Sequence, residues 1–324
     1  MNNPIIAEVT RGPIVESRHR GAYVVCDATG KVVISAGDVS APIYPRSAVK
    51  AFQCLPLIES GAADAFDFTD EEIALCCGSH YGEPEHVRVA KSMLAKCQID
   101  ESCYECGAHY PSSREATFEL VRHGKTSQQV HNNCSGKHAG MLAYAKQMGI
   151  DNKDYVKLDH PVQRAIAKTI EKICKVDLSK APVGVDGCSV PTWAMPLHNM
   201  ALGFAKLCDE TYAPYERIIR AARNHPLMIA GTDRFDTKVM EALPRLFVKY
   251  GAEGVYCGCI PHAGFGFAVK CDDGAQRGVE VAMISAVLKL DVWTSEEREK
   301  LVGFHHNTLK NWRKFEVGEV RGMP

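Results

Sequence analysis

The sequence predicts a layered α/β fold in which strands from both chain ends meet in one antiparallel sheet flanked by helices. Three observations carry this. Period-two apolar patterns fall near the ends, over Ile5–Val9, Ala22–Cys26 and Val32–Ser35, and again over Val255–Ile260 and Phe265–Lys270. The stretch between them, from about 60 to 245, is patterned at helical spacing. There is no regular strand–helix alternation and no G-x-G-x-x-G, so a doubly wound parallel sheet fits worse. Residues 1–324 read as one domain with a helical region at about 60–245.

The elements follow in order. Asp27-Ala28-Thr29-Gly30 has the composition of a hairpin turn between two of the first strands. A helix opens near Arg46-Ser47, and Pro56 is expected to kink or shorten it before Gly61. Thr69-Asp70-Glu71-Glu72 is a capping box leading into the apolar run Ile73–Cys77. Pro84 suits the first position of a helix reaching about Cys97, with Val87, Ala90 and Leu94 on one side. Further helices are expected from about Ser113 to His123, after Gly136, from Pro161 to Lys175, and over about 196–208, 213–224 and 232–243. Val279 to Leu290 reads as a closing helix.

Composition narrows the function. The chain has 324 residues, 46% hydrophobic and 24% charged, which is ordinary for a globular protein. A formal net charge of -1 without a basic run argues against nucleic acid as a partner. No apolar run is long enough to span a bilayer, and the N-terminus lacks the pattern of a signal peptide. The 14 cysteines are not spaced as a disulfide framework, so a reducing cytoplasmic setting with most thiols buried is expected. Cys103-x-x-Cys106 has no second such pair, so it reads as packing rather than as a zinc knuckle.

Four stretches carry candidate chemistry. Ser47 and Lys50 stand three apart, which on a helix gives them a common face. A lysine amine beside a serine hydroxyl is a minimal nucleophile and base once the amine is neutral. Gly78-Ser79-His80-Tyr81-Gly82-Glu83 is either a helix-entry loop or the polar floor of a cleft. His131-Asn132-Asn133-Cys134-Ser135-Gly136-Lys137-His138 gathers more polar groups at a helix start than a cap requires, and such an end favours a thiolate or a substrate carboxylate. Gly184-Val185-Asp186-Gly187-Cys188 is either a tight turn or a ligand loop. Two thiolates with a nitrogen donor suit zinc. By residue chemistry alone His138 is the expected nitrogen, because a lysine must first lose its proton.

Together, Arg46-Ser47-Ala48-Val49-Lys50, Gly78-Ser79-His80, the run Asn133 to Leu142 and Asp186-Gly187-Cys188-Ser189-Val190-Pro191 resemble the class 3, rhizobial-type L-asparaginases. The opening Arg11 to Arg20 and Phe304-His305-His306 extend the resemblance to essentially the whole chain. It implies a fold like those of serine β-lactamases, penicillin-binding proteins and glutaminases, a homodimer, and hydrolysis of L-asparagine to L-aspartate and ammonia. It implies two serine–lysine pairs, Ser47 with Lys50 and Ser79 with Lys249. It places zinc on Cys134, Lys137 and Cys188, and substrate-binding roles on Arg46, Asn133, His138 and Asp186. The S-D-N and K-T-G motifs of β-lactamases are absent, so lactams are not expected substrates. A glutaminase or other small-amide hydrolase, and a non-catalytic zinc-binding protein, are the alternatives.

Overall fold

A computed structural model describes residues 3–323. The chain divides into two compact units. The first takes in the residues up to Ala48, Met195–Asp209 and those from Arg245 onward; the second takes in Val49–Ala194 and Glu210–Pro244.

The first unit is built on an eight-stranded sheet. Its order runs His306–Lys310, Glu316–Gly322, Ile5–Arg11, Ile14–Asp27, Phe265–Cys271, Val255–Ile260, Phe247–Gly251, with Val32–Ala36 added beside Ile14–Asp27. Every pairing is antiparallel, and the chain ends meet through Ala7↔Gly322 and Val9↔Val320. Strand Val255–Ile260 is buried at all its positions, so both of its faces are covered. One cover is the helix Leu197–Lys206, which approaches so closely that a Cβ on Gly266 would lie 2.1 Å from the Ala201 carbonyl oxygen. Another is the helix Gln276–Leu288, whose Val281 packs with Ala7, Val9 and Val320.

The turn at Asp27–Gly30 forms as expected. Gly30 takes φ +92° and donates to the Asp27 carbonyl at 3.0 Å, while the Asp27 carboxylate accepts from Thr29 and Lys31. Strand Ile14–Asp27 is longer than its apolar pattern, because residues 14–20 pair with Ile5–Arg11 while 21–27 pair with Phe265–Cys271. The helix Ser295–Phe304 and the last two strands lie beyond the expected closing helix. A polar staple joins strand to turn here. The His19 ring donates from Nδ1 to Asp273 at 2.6 Å, Arg277 donates to its Nε2 at 3.2 Å, and the Cys271 thiol donates to Asp273 at 2.9 Å.

The second unit is mainly helical. Its centre is the helix Ser135–Gln147, buried along most of its length and packed by Lys50–Glu59, Asp70–Cys77 and Pro84–Lys96. The capping box at Thr69 forms, with Glu72 accepting from the Thr69 amide at 2.8 Å. Pro56 does not break its helix: Lys50–Glu59 continues through it, with nine residues from Lys50 to Ile58 buried. Tertiary burial of that apolar segment outweighs the one backbone hydrogen bond that proline removes. Residues 183–193 form a small hairpin of Val183–Val185 with Pro191–Trp193.

Candidate active site

Two glycines bring the polar stretches of the second unit together. A Cβ on Gly136 would fall 2.4 Å from the Leu75 carbonyl oxygen, and one on Gly140 would fall 2.9 Å from the Cys76 sulfur. Only residues without a side chain let helix Ser135–Gln147 rest against the end of Asp70–Cys77. That contact sets Cys134 and Lys137 beside the loop that starts at Gly78. The loop is itself pinned, with the Ser79 amide donating to the Ile229 carbonyl at 2.8 Å and the His80 amide to the Asn133 carbonyl at 3.2 Å.

Lys50 is fully buried. Its Nζ donates to the Gly78 carbonyl, next to Ser79, and to the Asn133 carbonyl at 3.3 Å. His80 braces the same corner. Its Nδ1 accepts from the Gly82 amide at 3.1 Å, so Nε2 carries the proton and donates to Ser135 Oγ at 2.9 Å. Burial, with His86 and Lys50 close by, holds the His80 pKa well below the usual imidazole range.

The three sulfur and nitrogen groups named from sequence meet. Lys137 Nζ lies 3.0 Å from Cys188 Sγ, and all three of Cys134, Lys137 and Cys188 are buried. The Cys134 thiol donates to the Cys188 sulfur, which lowers the Cys188 pKa well below an ordinary thiol's; Lys137 adds to the effect. The same hydrogen bond, with burial, pushes Cys134 up to about 11. Burial works against the charge on Lys137, but Cys188, Cys134 and Asp186 outweigh it and raise its pKa. The two sulfurs are donors that suit a thiophilic cation such as zinc, and Lys137 could join them only after giving up its proton to the metal's charge.

Lys137, not His138, faces the sulfurs. The His138 ring is fully buried, with Nδ1 2.6 Å from the Tyr155 hydroxyl and Nε2 without a hydrogen-bond partner among the described residues. Asp186 is half-buried in the hairpin turn, where its amide donates to the Val190 carbonyl at 2.9 Å. The Asn133 amide donates to His109 Nε2 at 3.0 Å.

Ser47, Arg46 and Lys249 belong to the first unit. Ser47 is half-buried in the short turn Arg46–Val49, where Arg46 takes φ +51°. A Cβ on Gly251 would lie 2.7 Å from the Pro45 carbonyl oxygen and 2.9 Å from the Ala48 amide nitrogen. The Ser47 turn therefore rests on strand Phe247–Gly251, which carries the buried Lys249 two residues earlier on the same face. Lys249 Nζ donates to the Tyr250 carbonyl at 2.6 Å. Sequence spacing groups Ser47 with Lys50. In space, Lys249 lies in the strand beneath the Ser47 turn, and Lys50 lies at the Ser79 loop.

Asn132 is the residue that sequence reasoning did not assign. Its amide donates to the Cys106 and Gly107 carbonyls at 2.9 Å each, and its Oδ1 accepts from the Cys134 amide at 2.8 Å. The available signal was the pair of asparagines where one would cap a helix. Cys106 is buried, its thiol against Gln129, and forms no disulfide.

The family model for L-asparaginase II matches residues 7–322. The chain belongs to the L-asparaginase II family. No curated protein matches it. Among solved structures, a β-lactamase from Mycobacterium bovis is similar at TM-score 0.44 and 10% identity, covering 88% of this chain and 94% of that one. The protein Mglu in its native form is similar at TM-score 0.40 and 13% identity, covering 90% of this chain and 70% of that one. This asparaginase-family chain has no helix long and apolar enough to cross a membrane among its described residues.

Proposed function

We propose that the chain is an L-asparaginase that hydrolyses the side-chain amide of L-asparagine through a serine acyl-enzyme. Family membership supports the class of reaction. The observation that carries the chemistry is the buried Lys50 amine held at the carbonyl next to Ser79. In this reading the Ser47 hydroxyl attacks the amide carbon, and a neutral lysine, Lys50 by its spacing, takes the hydroxyl proton. The tetrahedral oxyanion collapses, the lysine returns the proton to the departing nitrogen, and ammonia leaves. Water then attacks the ester, and aspartate and the free serine are regenerated. Ser79 and Lys249 relay protons or polarise the first pair. The place of Lys50 at the Ser79 loop equally suits Ser79 as the attacking residue, and mass mapping of a trapped acyl-enzyme decides between the two.

Asp186 would take the substrate ammonium, with Arg46, Asn133 and His138 as the remaining substrate-binding residues. Zinc would be held by Cys134, Lys137 and Cys188. Bound there, it would supply a fixed positive charge that orients the substrate. A homodimer belongs to the same proposal, and sedimentation checks it.

Ammonia release from L-asparagine tests the reading. Ser47→Ala and Ser79→Ala should each lower turnover by at least about 10²-fold; near-normal turnover in both rules out the serine mechanism. No ammonia from the unaltered chain would favour a zinc-binding protein without catalysis. One methylene shifts selectivity by about 1–3 kcal/mol, so kcat/KM for L-asparagine against L-glutamine separates asparaginase from glutaminase.

A further inference from the structure

We propose that the first unit carries a zinc site of its own, formed by His19, Cys271 and Asp273. Among the described residues these are the one trio of His, Cys, Asp or Glu side chains whose ligand atoms converge, all within 4.8 Å of one another.

The backbone brings them together. Cys271 ends its strand and pairs with Gly21. His19 stands two residues before Gly21, so its side chain and that of Cys271 share a face of the sheet. Gly274, at φ +77°, then donates to the Cys271 carbonyl at 3.2 Å and closes the turn that returns Asp273 to both. A Cβ on Gly278 would fall 2.7 Å from His19 Cγ, so the helix Gln276–Leu288 seats the ring by offering no side chain there. His19 and Cys271 are buried, while the Asp273 side chain is half-exposed. Solvent on that side gives a cation its entry path and a water for the fourth position.

The three groups share protons that a cation would replace. His19 Nδ1 lies 2.6 Å from Asp273 Oδ2, and Cys271 Sγ lies 2.9 Å from Oδ1. Tetrahedral zinc needs gaps of roughly 3.3–3.5 Å between such ligand atoms, so small side-chain shifts suffice. A thiolate, an imidazole and a carboxylate suit zinc, whereas calcium and magnesium take oxygen ligands. On binding, the thiol proton leaves to solvent, and the neutral ring carries its proton on Nε2 instead of Nδ1. Asp273 Oδ1 keeps the Ala275 amide, which it accepts at 3.0 Å. Arg277 is the competitor. It donates to Nε2 at 3.2 Å and must swing away, which its exposed side chain permits. The site does not depend on the amidase reading, and Cys134, Lys137 and Cys188 belong to the second unit.

Zinc(II) added to the metal-free full chain tests the proposal, with calorimetry for stoichiometry and cobalt(II) for ligand type. Cys271→Ser should hold one equivalent fewer than the parent chain, although its hydroxyl can still donate to Asp273, so a purely structural thiol would not give this result. The same equivalent should survive Cys188→Ser and disappear in Cys188→Ser/Cys271→Ser, together with sulfur-to-cobalt charge-transfer absorption. Asp273→Asn, which keeps an oxygen for the Ala275 amide, should weaken that equivalent at least about tenfold. Arg277→Met should tighten it. A parent chain that takes up no zinc(II) below about 0.1 mM overturns the proposal. So does a Cys271→Ser chain whose zinc stoichiometry and cobalt spectrum match the parent's.

Discussion

Gly136→Ala tests whether the contact of helix Ser135–Gln147 with Asp70–Cys77 sets the geometry of the thiols. The new methyl would lie 2.4 Å from the Leu75 carbonyl oxygen and 2.7 Å from its carbonyl carbon. Both are backbone atoms, so no rotamer change relieves the clash. Ordinary contact distances require the helix start to retreat by roughly 1 Å. Overpacking of this kind costs about 1–3 kcal/mol. Alanine returns about 0.5–1 kcal/mol through its better helix propensity, less at the second residue of a helix. The net expectation is a loss of about 1–2 kcal/mol.

The control is Gly303→Ala. That residue lies in helix Ser295–Phe304 with no atom within 4 Å of an added methyl, so it should gain about 0.5 kcal/mol. Urea midpoints of the two variants against the parent chain supply the stability readout. The same shift moves Cys134 and Lys137 relative to Cys188, so under the proposed function Gly136→Ala should also lower zinc affinity and ammonia release, while Gly303→Ala should leave both unchanged. A Gly136→Ala chain at least as stable as the parent, with both properties intact, would refute the close-packing argument.

Asn132→Ala should destabilise the chain by about 1–3 kcal/mol in urea melts, because the Cys134 amide and the Cys106 and Gly107 carbonyls lose their partner. Glu297→Gln tests the pair with Arg245, whose guanidinium, with Thr294, holds the Glu297 pKa down to about 2. A depressed carboxylate stabilises above its unfolded pKa of about 4.5 and loses that effect as pH falls toward 2. The variant should therefore lose about 1–2 kcal/mol at pH 7, allowing for solvent screening of the half-exposed arginine, with the difference from the parent closing between pH 4.5 and 2. Under the proposed zinc site, Cys188→Ser should lower zinc content, read by elemental analysis of purified protein; full zinc and unchanged substrate affinity in the variant would rule out Cys188 as a proposed ligand.

The parts of this chain legible from sequence are those set by near neighbours. The Thr69–Glu72 capping box and the Asp27–Gly30 turn close within a few residues, so their side chains announce them. Strand Glu316–Gly322 was not legible. Its partner Ile5–Arg11 lies at the other end of the chain, and four charged residues in its vicinity, Glu316, Glu319, Arg321 and Glu8, mask the apolar Val320 that faces the core. Asn132 was hidden for a similar reason, since two of its partners lie 25 and 26 residues away in a loop without pattern.

The choice between Lys137 and His138 shows what a finer reading would need. Successive residues of a helix point about 100° apart, so adjacent side chains serve different neighbours. Residue chemistry favours His138, and nothing in its identity says otherwise. The helix phase does. Gly136 and Gly140 are four apart and define the face that rests on Leu75 and Cys76. With that face fixed, Lys137 and His138 must point in different directions, one to the Cys188 sulfur and the other to the Tyr155 hydroxyl. Small residues four apart at the start of a helix rich in polar groups are thus the phase marker, and reading them first replaces a preference based on ligand type with one based on direction.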